Sequence, residues 1–287
     1  MVQLVDGDIK TREVLHWKGV HVLHASGSSC SQKLRIFLNL KGIPWESHLV
    51  DLHSNENFRP WFLGINPRGL VPVLVHDGAV HIESNDIITY LEKTFPVPKL
   101  IPSGFENEVA KLLHHEDELH LDLRILSFRF VFSPPGPPKS AEALQSYAAN
   151  GSGTVKGVAD PDKAAQLAFW ERVTREGFTD EMARTSAQKF RVEFSSLDDR
   201  LGKSPYLLGD ALSVLDIAWF IYANRLSLGG FPIERMHPRV HAWMVKLAAR
   251  PEFAKEIASP PQITARIEAV RRAHAEAGKS LEAVAGF

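Results

Sequence analysis

The chain of 287 residues contains a single cysteine, Cys30. One thiol excludes an internal disulfide, a multi-cysteine metal centre and a CxxC redox pair, and it makes a reducing cytoplasm the simplest compartment. Long apolar runs are also missing. No stretch approaches the length that crosses a membrane, and the first 20 residues mix acidic and basic side chains without a signal-peptide core. These absences predict a soluble protein without a targeting segment.

An excess of charge of either sign is lacking as well. Lys and Arg number 33 against 34 Asp and Glu, which gives a net charge of -1. A nucleic-acid or anionic-membrane partner normally requires a basic excess or a basic stripe, so we expect neither partner. What is present is an ordinary globular composition, 44% hydrophobic and 23% charged, in a chain long enough for two domains with their own cores.

The first hundred residues alternate between strand and helix patterns. Gly42 stops the first helix in the usual C-terminal position, and the length of the crossover makes the first two strands parallel. Asp77-Gly78 is a two-residue hairpin turn, which makes the last two strands antiparallel. The predicted elements are a strand at 19–24, a helix at 31–40, strands at 45–52, 70–75 and 79–82, and a helix from 83 onward.

Pro72 stands at the entry to the third predicted strand. Proline cannot donate to a sheet ladder, so its position there is awkward. A cis Val71-Pro72 bond would resolve the difficulty by making this point a bend.

After residue 104 the strand signals disappear. Ser213 to Asp216 fits a capping box that opens a very apolar helix, which we expect at the centre of a helical domain. Residues 132–162 contain a proline-rich run and no clear period, and they predict a long loop between helices. The helical stretches are 105–130, 164–177, 179–201, 213–226, 238–249 and 263–277. The predicted organisation is an N-terminal extension at 1–18, an α/β domain at 19–96, a linker at 97–104 and an all-helical domain at 105–287 with an insertion at 132–162.

The junction at 26–35 carries the clearest chemical signal. It puts the hydroxyls of Ser28 and Ser29 and the thiol of Cys30 at the first turn of a helix. Unpaired N–H groups and the positive end of the helix dipole stabilise a thiolate there, whether that of Cys30 or that of a bound ligand. Taken singly, each serine is also a good N-cap and Cys30 a small buried apolar residue.

Four separated motifs together resemble the glutathione transferase superfamily, over about residues 20–253. They are Ser28-Ser29-Cys30-Ser31 with Arg35, similar to the signature of zeta-type enzymes; Asn66-Pro67 with Val71-Pro72, similar to the cis-proline loop; Glu83-Ser84, similar to the pair that binds the γ-glutamyl end of glutathione; and Ser204 to Asp210 with Ser213 to Asp216, similar to the family's helix-capping motif. The resemblance implies a thioredoxin-like α/β N-terminal domain, an all-α C-terminal domain, glutathione as cofactor and a homodimer.

The resemblance also implies a role for each site residue. The backbone of Val71, exposed because Pro72 bends the chain, would pair with the cysteinyl part of glutathione as a strand pairs in a sheet. Ser84 at a helix start would hold the ligand carboxylate, and Glu83 would accept from its ammonium group. A hydroxyl of the helix start, Ser28 or Ser29, would donate to the sulfur and favour the thiolate.

Within the superfamily several reactions fit, and Cys30 distinguishes them. The pattern Ser-x-Cys-Ser-x-Lys-x-Arg is similar to tetrachlorohydroquinone reductive dehalogenases, in which the matching cysteine takes over a glutathionyl group as a mixed disulfide. Maleylacetoacetate isomerases and bacterial β-aryl-ether-cleaving enzymes share other motifs. The leading hypothesis is a cytoplasmic glutathione S-transferase that attacks an apolar, aromatic electrophile. The rival from another class is a non-catalytic module that has the glutathione transferase fold and serves in binding or scaffolding.

The stretch His114 to His120 invites a metal interpretation but lacks a recognised ligand spacing, so we expect a solvated helix face and no metal. Under the resemblance this helix borders the pocket for the second substrate. His120, Arg124 and Phe128 are then candidate substrate contacts.

Overall fold

A computed structural model describes residues 1–133 and 136–287. The chain divides into two compact units: Met1–Pro98 with Gly136–Gly177, and Lys99–Pro135 with Phe178–Phe287. Pro134 and Pro135, which belong to the predicted insertion, lie outside the described residues. None of the described helices combines the length and the apolar composition needed to span a bilayer.

The sheet of the first unit is built from β1 (Val2–Gln3), β2 (Val20–His24), β3 (Glu46–Leu49), β4 (Val73–His76) and β5 (Ala79–Ile82). Among the described residues these five strands follow the order β1-β5-β4-β2-β3. β2 is parallel to β3, as the crossover predicted, and the other pairs are antiparallel. The mixed sheet with its crossover helix is the predicted thioredoxin-like arrangement.

The helices of this part are α1 (Ser29–Lys41), α2 (Pro60–Leu63) and α3 (Ser84–Thr94). α1 begins where the sequence indicates, because Ser28 is its N-cap and accepts a hydrogen bond from the amide of Ser31 at 3.3 Å. It ends at Gly42, whose φ of 63° is the left-handed conformation that glycine adopts without strain.

The first 18 residues differ from the predicted extension, because they contribute to the core of the unit. β1 pairs with β5, with Val2 opposite Ile82. Leu4, Ile9 and Val14 are buried in the same apolar cluster as the central strands. A strand of two residues is too short to show an alternating pattern, which is why the sequence gives no sign of it.

The second unit opens with α4 (Glu106–Glu118) and α5 (His120–Ser127), followed by a π-helical turn at Phe128–Phe132. The sequence predicts one helix over this region. The structure interrupts it at Leu119, which separates the end of α4 from the start of α5.

The segment predicted as a loop is largely ordered into secondary structure. It contains α6 (Ala141–Ala149) and the hairpin of β6 (Thr154–Val155) and β7 (Val158–Ala159). The helix predicted at 164–177 follows as α7 (Pro161–Glu176). Residues 136–177 are grouped with the first unit and not with the helical one. Tyr147 of α6 attaches this segment to the first unit. The centre of its ring lies 4.3 Å from that of Phe58, on which it stacks, and its hydroxyl donates to the carbonyl of Arg68 at 2.8 Å.

The remaining helices of the second unit are α8 (Asp180–Leu201), α9 (Val214–Leu228), α10 (Ile233–Met236), α11 (Pro238–Ala248), α12 (Pro251–Ile257), α13 (Pro261–Glu276) and α14 (Leu281–Ala285). α9 is buried along nearly its whole length, and its predicted capping box is confirmed. Asp216 accepts from the amide and the hydroxyl of Ser213, at 2.9 and 2.7 Å. The predicted fold class, an α/β thioredoxin-like domain with a helical domain, is therefore confirmed.

Candidate functional site

The three candidate glutathione-binding segments leave the sheet at one edge. The end of β2, the start of β4 and the end of β5 lie together, because β4 is antiparallel to both neighbours. In this register Leu23 of β2 lies opposite Val73 of β4. The segments that continue from these strand ends contain Ser28–Cys30, the Val71–Pro72 peptide and the Glu83–Ser84 pair.

At the start of α1 the three candidate thiol-activating groups differ in exposure. Ser28 and Cys30 are half-buried, whereas Ser29 is buried. The Ser28 oxygen accepts the capping hydrogen bond from Ser31, so its own hydrogen is available to donate outward. A ligand sulfur in front of this turn would meet the positive end of the helix dipole.

A buried guanidinium fixes the loop that precedes Ser28. Arg35, on the next turn of α1, donates to the carbonyls of Ala25 and Ser26, both at 3.2 Å, and to Nδ1 of His24 at 3.0 Å. Because these bonds come from a side chain that is 7% exposed, the loop is held from inside the unit. The start of α1 therefore has a fixed position relative to the end of β2.

The Val71–Pro72 bond is cis, as the sequence predicts. Two buried asparagines shape the loop in front of it. Asn66 donates to the carbonyl of Leu70 at 2.8 Å, and Asn57 donates to the carbonyl of Gly69 at 2.7 Å. These two loop carbonyls lie outside the strands, so side chains instead of a neighbouring strand satisfy their hydrogen bonding.

Glu83 has the N-cap position of α3 in an unusual conformation, with φ at 67°. A non-glycine residue at positive φ costs about 1–3 kcal/mol and is concentrated at functional sites. The carboxylate of Glu83 accepts from Nη1 of Arg68 at 2.6 Å. Ser84, the first residue of α3, is buried. The strained turn and the ion pair together aim the Glu83 side chain.

Arg68 is bound at its other end by the segment that follows the hairpin. Asp160 accepts from Nε and Nη2 of Arg68 at 2.8 and 2.9 Å, and its side chain is only 2% exposed. Asp162 lies 2.7 Å from Nη2. Burial by itself lowers the pKa of Arg68, but the hydrogen bonds that Arg68 donates to Asp160 and the charge of Glu83 outweigh burial and raise that pKa above its ordinary value. The guanidinium is therefore permanently charged.

Neither Arg68 nor Asp160 is a site residue that the sequence indicates. Arg68 stands in a turn signal, and Asp160 is 92 residues away from it. The available signal is Asp160 followed by Pro161, a typical N-cap and first helical residue. A second link that the sequence does not reveal joins α1 to α3: buried Lys33 donates to Asn85 at 2.7 Å.

The predicted substrate contacts lie in the second unit. His120, Arg124 and Phe128 are spaced four residues apart along α5 and the turn that follows it, so they share one face, and each is half-buried. Nδ1 of His120 lies 3.3 Å from the hydroxyl of Tyr222, and Phe128 stacks on Phe178 with 5.6 Å between ring centres.

The histidine-rich start of this region makes ion pairs instead of a metal cluster. His115 lies 2.9 Å from Glu193, and this hydrogen bond raises the pKa of His115. Within the described chain, three metal-ligating side chains converge only at His21, Glu46 and His48, outside the site built above.

Comparison with known proteins points to one family for both units. A model of the glutathione S-transferase N-terminal domain matches residues 27–94, and a model of the glutathione S-transferase C-terminal domain matches residues 183–245. Protein LigF of Sphingobium sp. (strain NBRC 103272 / SYK-6) is 31% identical over 221 residues, which are 74% of this chain and 82% of LigF. The crystal structure of that protein, described as a beta-etherase, has a TM-score of 0.68 at 27% identity and covers 83% of this chain and 98% of its own.

Two further relatives are similar over different lengths. A zeta-class glutathione S-transferase of Euphorbia esula is 46% identical over 81 residues, 28% of this chain and 36% of the relative. This alignment therefore spans about a third of that protein. A probable maleylacetoacetate isomerase of Vibrio cholerae is 26% identical over 231 residues, 79% of this chain and 90% of the relative.

Proposed function

The chain belongs to the glutathione S-transferase family of glutathione-dependent enzymes, and from this premise we propose that it activates the thiol of glutathione for attack on an apolar, aromatic electrophile. The observation that carries the proposal is the meeting of Ser28–Cys30, Val71–Pro72 and Glu83–Ser84 at one edge of the sheet. Each segment offers groups for a different part of the tripeptide.

The backbone of Val71 pairs with the cysteinyl part of the ligand, in the manner of an added strand. The start of α3 at Ser84 receives the γ-glutamyl carboxylate, and Glu83 accepts from the ammonium group. Arg68 supports this end from behind, since it holds the Glu83 carboxylate at 2.6 Å and is itself held by Asp160.

We assign the activation of the sulfur to the hydroxyl of Ser28. Ser28 is more exposed than Ser29 and accepts the capping bond, which leaves its hydrogen for the ligand. A hydrogen bond and a helix terminus each stabilise a thiolate by about 1.4 kcal/mol, which lowers the pKa of the thiol by about one unit. That is enough to raise the thiolate fraction of glutathione at neutral pH several-fold or more.

For the second substrate we propose a β-aryl ether, because LigF matches this chain over 82% of its length and its structure is described as that of a beta-etherase. In this reaction the glutathione sulfur attacks the carbon that bears the aryloxy group. A C–S bond forms, the C–O bond breaks with its electron pair going to the phenolate oxygen, and the thiol proton ends on the phenol. His120, Arg124 and Phe128 are the candidate contacts of the aromatic rings.

The family resemblance supports a homodimer, and the single thiol supports a reducing, cytoplasmic location. Size-exclusion chromatography with light scattering tests the first of these proposals directly.

The test of the reaction is steady-state turnover with reduced glutathione and two acceptors, a chloronitroarene and a β-aryl ether with a chromogenic phenol as leaving group. We expect turnover of both, and release of one phenol for each thioether formed. A folded chain that neither binds glutathione by calorimetry nor turns over either acceptor would act as a binding module of another kind, and the proposal would be wrong.

Three variants separate the candidate groups at the start of α1. We expect Ser28→Ala to lower kcat by about tenfold or more, because a donor to the thiolate is removed, and Ser29→Ala to have a smaller effect. Ser195→Ala on the exposed face of α8 is the matched control. Cys30→Ser should retain ether cleavage. If the wild type releases a product without the glutathionyl group while Cys30→Ser stalls at the glutathionylated product, the thiol-exchange mechanism of a reductive dehalogenase applies instead.

A further inference from the structure

A second site lies on the other end of the β2–β3 pair, where two histidines and a glutamate converge. In the parallel register His21 lies opposite Glu46, and His48 follows two residues later on β3. Residues two apart on a strand share a face, so all three side chains stand on the same side of the sheet. One ligand atom from each of the three lies within 4.8 Å of the others.

The distances between the donor atoms fit a small cation. Nδ1 of His21 is 3.0 Å from Nε2 of His48. The Glu46 oxygens lie 3.6 Å from Nδ1 of His21 and 3.7 Å from Nε2 of His48. Ligands about 2.0 Å from a tetrahedral zinc ion are separated by about 3.3 Å, so movements of a few tenths of an ångström are enough to admit the ion.

The surroundings of His21 fix the nitrogen that a metal needs. Its Nε2 lies 2.8 Å from the carbonyl of Lys18, which can only accept a hydrogen bond. Nε2 therefore carries the proton, and Nδ1 presents its lone pair to the centre of the cluster. A metal-bound histidine typically has such a carbonyl behind it, because the bond selects the tautomer and orients the ring.

The second imidazole is oriented by stacking. The indole of Trp17 lies parallel to the ring of His48, with centres 4.4 Å apart and planes 12° apart, and it also contacts His21 at 4.8 Å. Trp17 itself packs against the apolar core. Two ligands are thus held by the body of the protein before any ion arrives, which lowers the cost of assembling a site.

The third ligand is exposed and can move. The side chain of Glu46 is 67% exposed, that of His48 25% and that of His21 9%. The cluster is therefore open to solvent on the side of Glu46, where a cation could reach it and the carboxylate could close on the ion, with water as a fourth ligand. Without metal the neutral ring of His48 carries its proton on Nε2 and donates to Nδ1 of His21. When the ion binds at Nε2, the neutral ring carries its proton on Nδ1 instead.

We propose that His21, His48 and Glu46 bind one divalent transition-metal ion, with Zn²⁺ as the reference ion. Two imidazoles and one carboxylate suit Zn²⁺, Co²⁺, Ni²⁺ or Cu²⁺ and are poor ligands for Mg²⁺ and Ca²⁺, which prefer oxygen. The ion ties the edge strand β3 to β2. This inference does not rest on the proposed transferase function, because none of its residues belongs to the glutathione site.

Calorimetric titration of the untagged, chelator-stripped full chain with Zn²⁺ tests the proposal. We expect one saturable equivalent, binding at least about tenfold weaker in His48→Gln, and no change in His53→Gln, an exposed histidine of the same unit. No saturable binding, or equal affinity in His48→Gln, would overturn the proposal. Both variants alter side chains that are at least partly exposed, so we expect both proteins to remain folded and their affinities to be comparable.

Two further measurements report the coordination geometry of the bound ion and its effect on the stability of the protein. Co²⁺ in place of Zn²⁺ should give the intense visible bands of a tetrahedral complex, and these bands should be absent in His48→Gln. Zn²⁺ should also raise the unfolding temperature of the wild type by mass action, and at the same concentration it should raise that of the variant less. Weak octahedral Co²⁺ bands of equal intensity in both proteins would contradict the site.

Discussion

Arg68 forms ion pairs with three carboxylates, and its single positive charge can neutralise only one of them. Glu83, Asp160 and Asp162 all lie within 3 Å of its guanidinium. One positive and three negative groups leave two negative charges at this point of the first unit. Such a surplus complements a ligand that brings an ammonium group, as the γ-glutamyl end of glutathione does.

This arrangement predicts a specific effect of Asp160→Asn. The amide cannot hold Arg68 as a charged, two-point partner, so Glu83 loses its support and the local negative charge falls. We expect the KM for glutathione to rise by about tenfold, about 1.4 kcal/mol of binding, with little change in kcat. Steady-state kinetics with varied glutathione measure the two constants separately.

Asp162→Asn is the matched control, because this carboxylate also forms an ion pair with Arg68 but is 54% exposed. Its effect on the KM should be smaller, since an exposed ion pair contributes less than a buried one. A loss of kcat at constant KM in Asp160→Asn would show that Arg68 does not act through glutathione binding.

At the scale of elements, Asp8 ties the N-terminal segment to the β6–β7 hairpin. The carboxylate is fully buried and accepts from the amide of Val5 at 3.0 Å, the hydroxyl of Thr154 at 2.7 Å and the amide of Gly157 at 3.0 Å. Burial alone would raise the pKa of Asp8, but these hydrogen bonds lower it below its ordinary value. The folded state thus favours the ionised form.

We predict that Asp8→Asn lowers the free energy of unfolding by about 1–3 kcal/mol, because amide N–H groups lose a charged acceptor. The folded pKa lies below the unfolded one, so the contribution of Asp8 is complete above the unfolded pKa of about 4 and is lost as the pH falls further. Urea unfolding at pH 7 and in the acid range measures both effects. Asp6→Asn, on an exposed neighbour, should change stability much less, because solvent screens its ion pair with Arg12. An equal loss in both variants would exclude this role for Asp8.

The elements that the sequence predicts are those with local signals. α1 and α9 begin within about two residues of their predicted starts, because Ser28 and Ser213 are caps whose partners lie in the same turn. β1 and the β6–β7 hairpin have strands of two residues, too short for any period. Their existence depends on partners far along the chain, such as Asp8 for the hairpin.

The candidate site also contains both residues with a local sequence signal and residues whose contacts depend on distant parts of the chain. Val71–Pro72 and Glu83–Ser84 are pairs of adjacent residues, so the family resemblance identifies each of them from a short motif. The pairing of Arg68 with Asp160 joins residues 92 positions apart, and nothing in either neighbourhood requires the other. Choosing among Ser28, Ser29 and Cys30 likewise depends on exposure, which a single sequence does not contain.

At the scale of the whole molecule, stability should depend on pH through His81. The side chain lies on β5, is 3% exposed and stacks on Tyr90 with 4.0 Å between ring centres. Burial, assisted by the charge of His76, lowers the pKa of His81 to about 4. Within the described chain its Nε2 has no hydrogen-bond partner, so the folded protein holds this imidazole neutral.

Because the unfolded chain binds a proton at His81 near pH 6.5 and the folded chain only near 4, acid favours unfolding between these values. This group alone should remove about 2 kcal/mol of unfolding free energy between pH 7 and pH 5. We expect His81→Phe to flatten this part of the stability profile, measured by urea unfolding at several pH values. His114→Phe, at an exposed site, should keep the wild-type slope; a wild-type slope in His81→Phe would contradict the assignment.

The first unit is discontinuous, since residues 136–177 complete a body that begins at Met1. During synthesis the sheet and the α1 start leave the ribosome long before Asp160 and Thr154 exist. At about 5–20 residues per second, roughly 4–16 s separate the emergence of residue 98 from that of residue 177. Until residues 154–162 have emerged, Asp8 lacks Thr154 and Gly157, and Arg68 lacks Asp160 and Asp162. The candidate site at this end of the sheet is therefore completed late in synthesis, after the opening helices of the second unit have already been made.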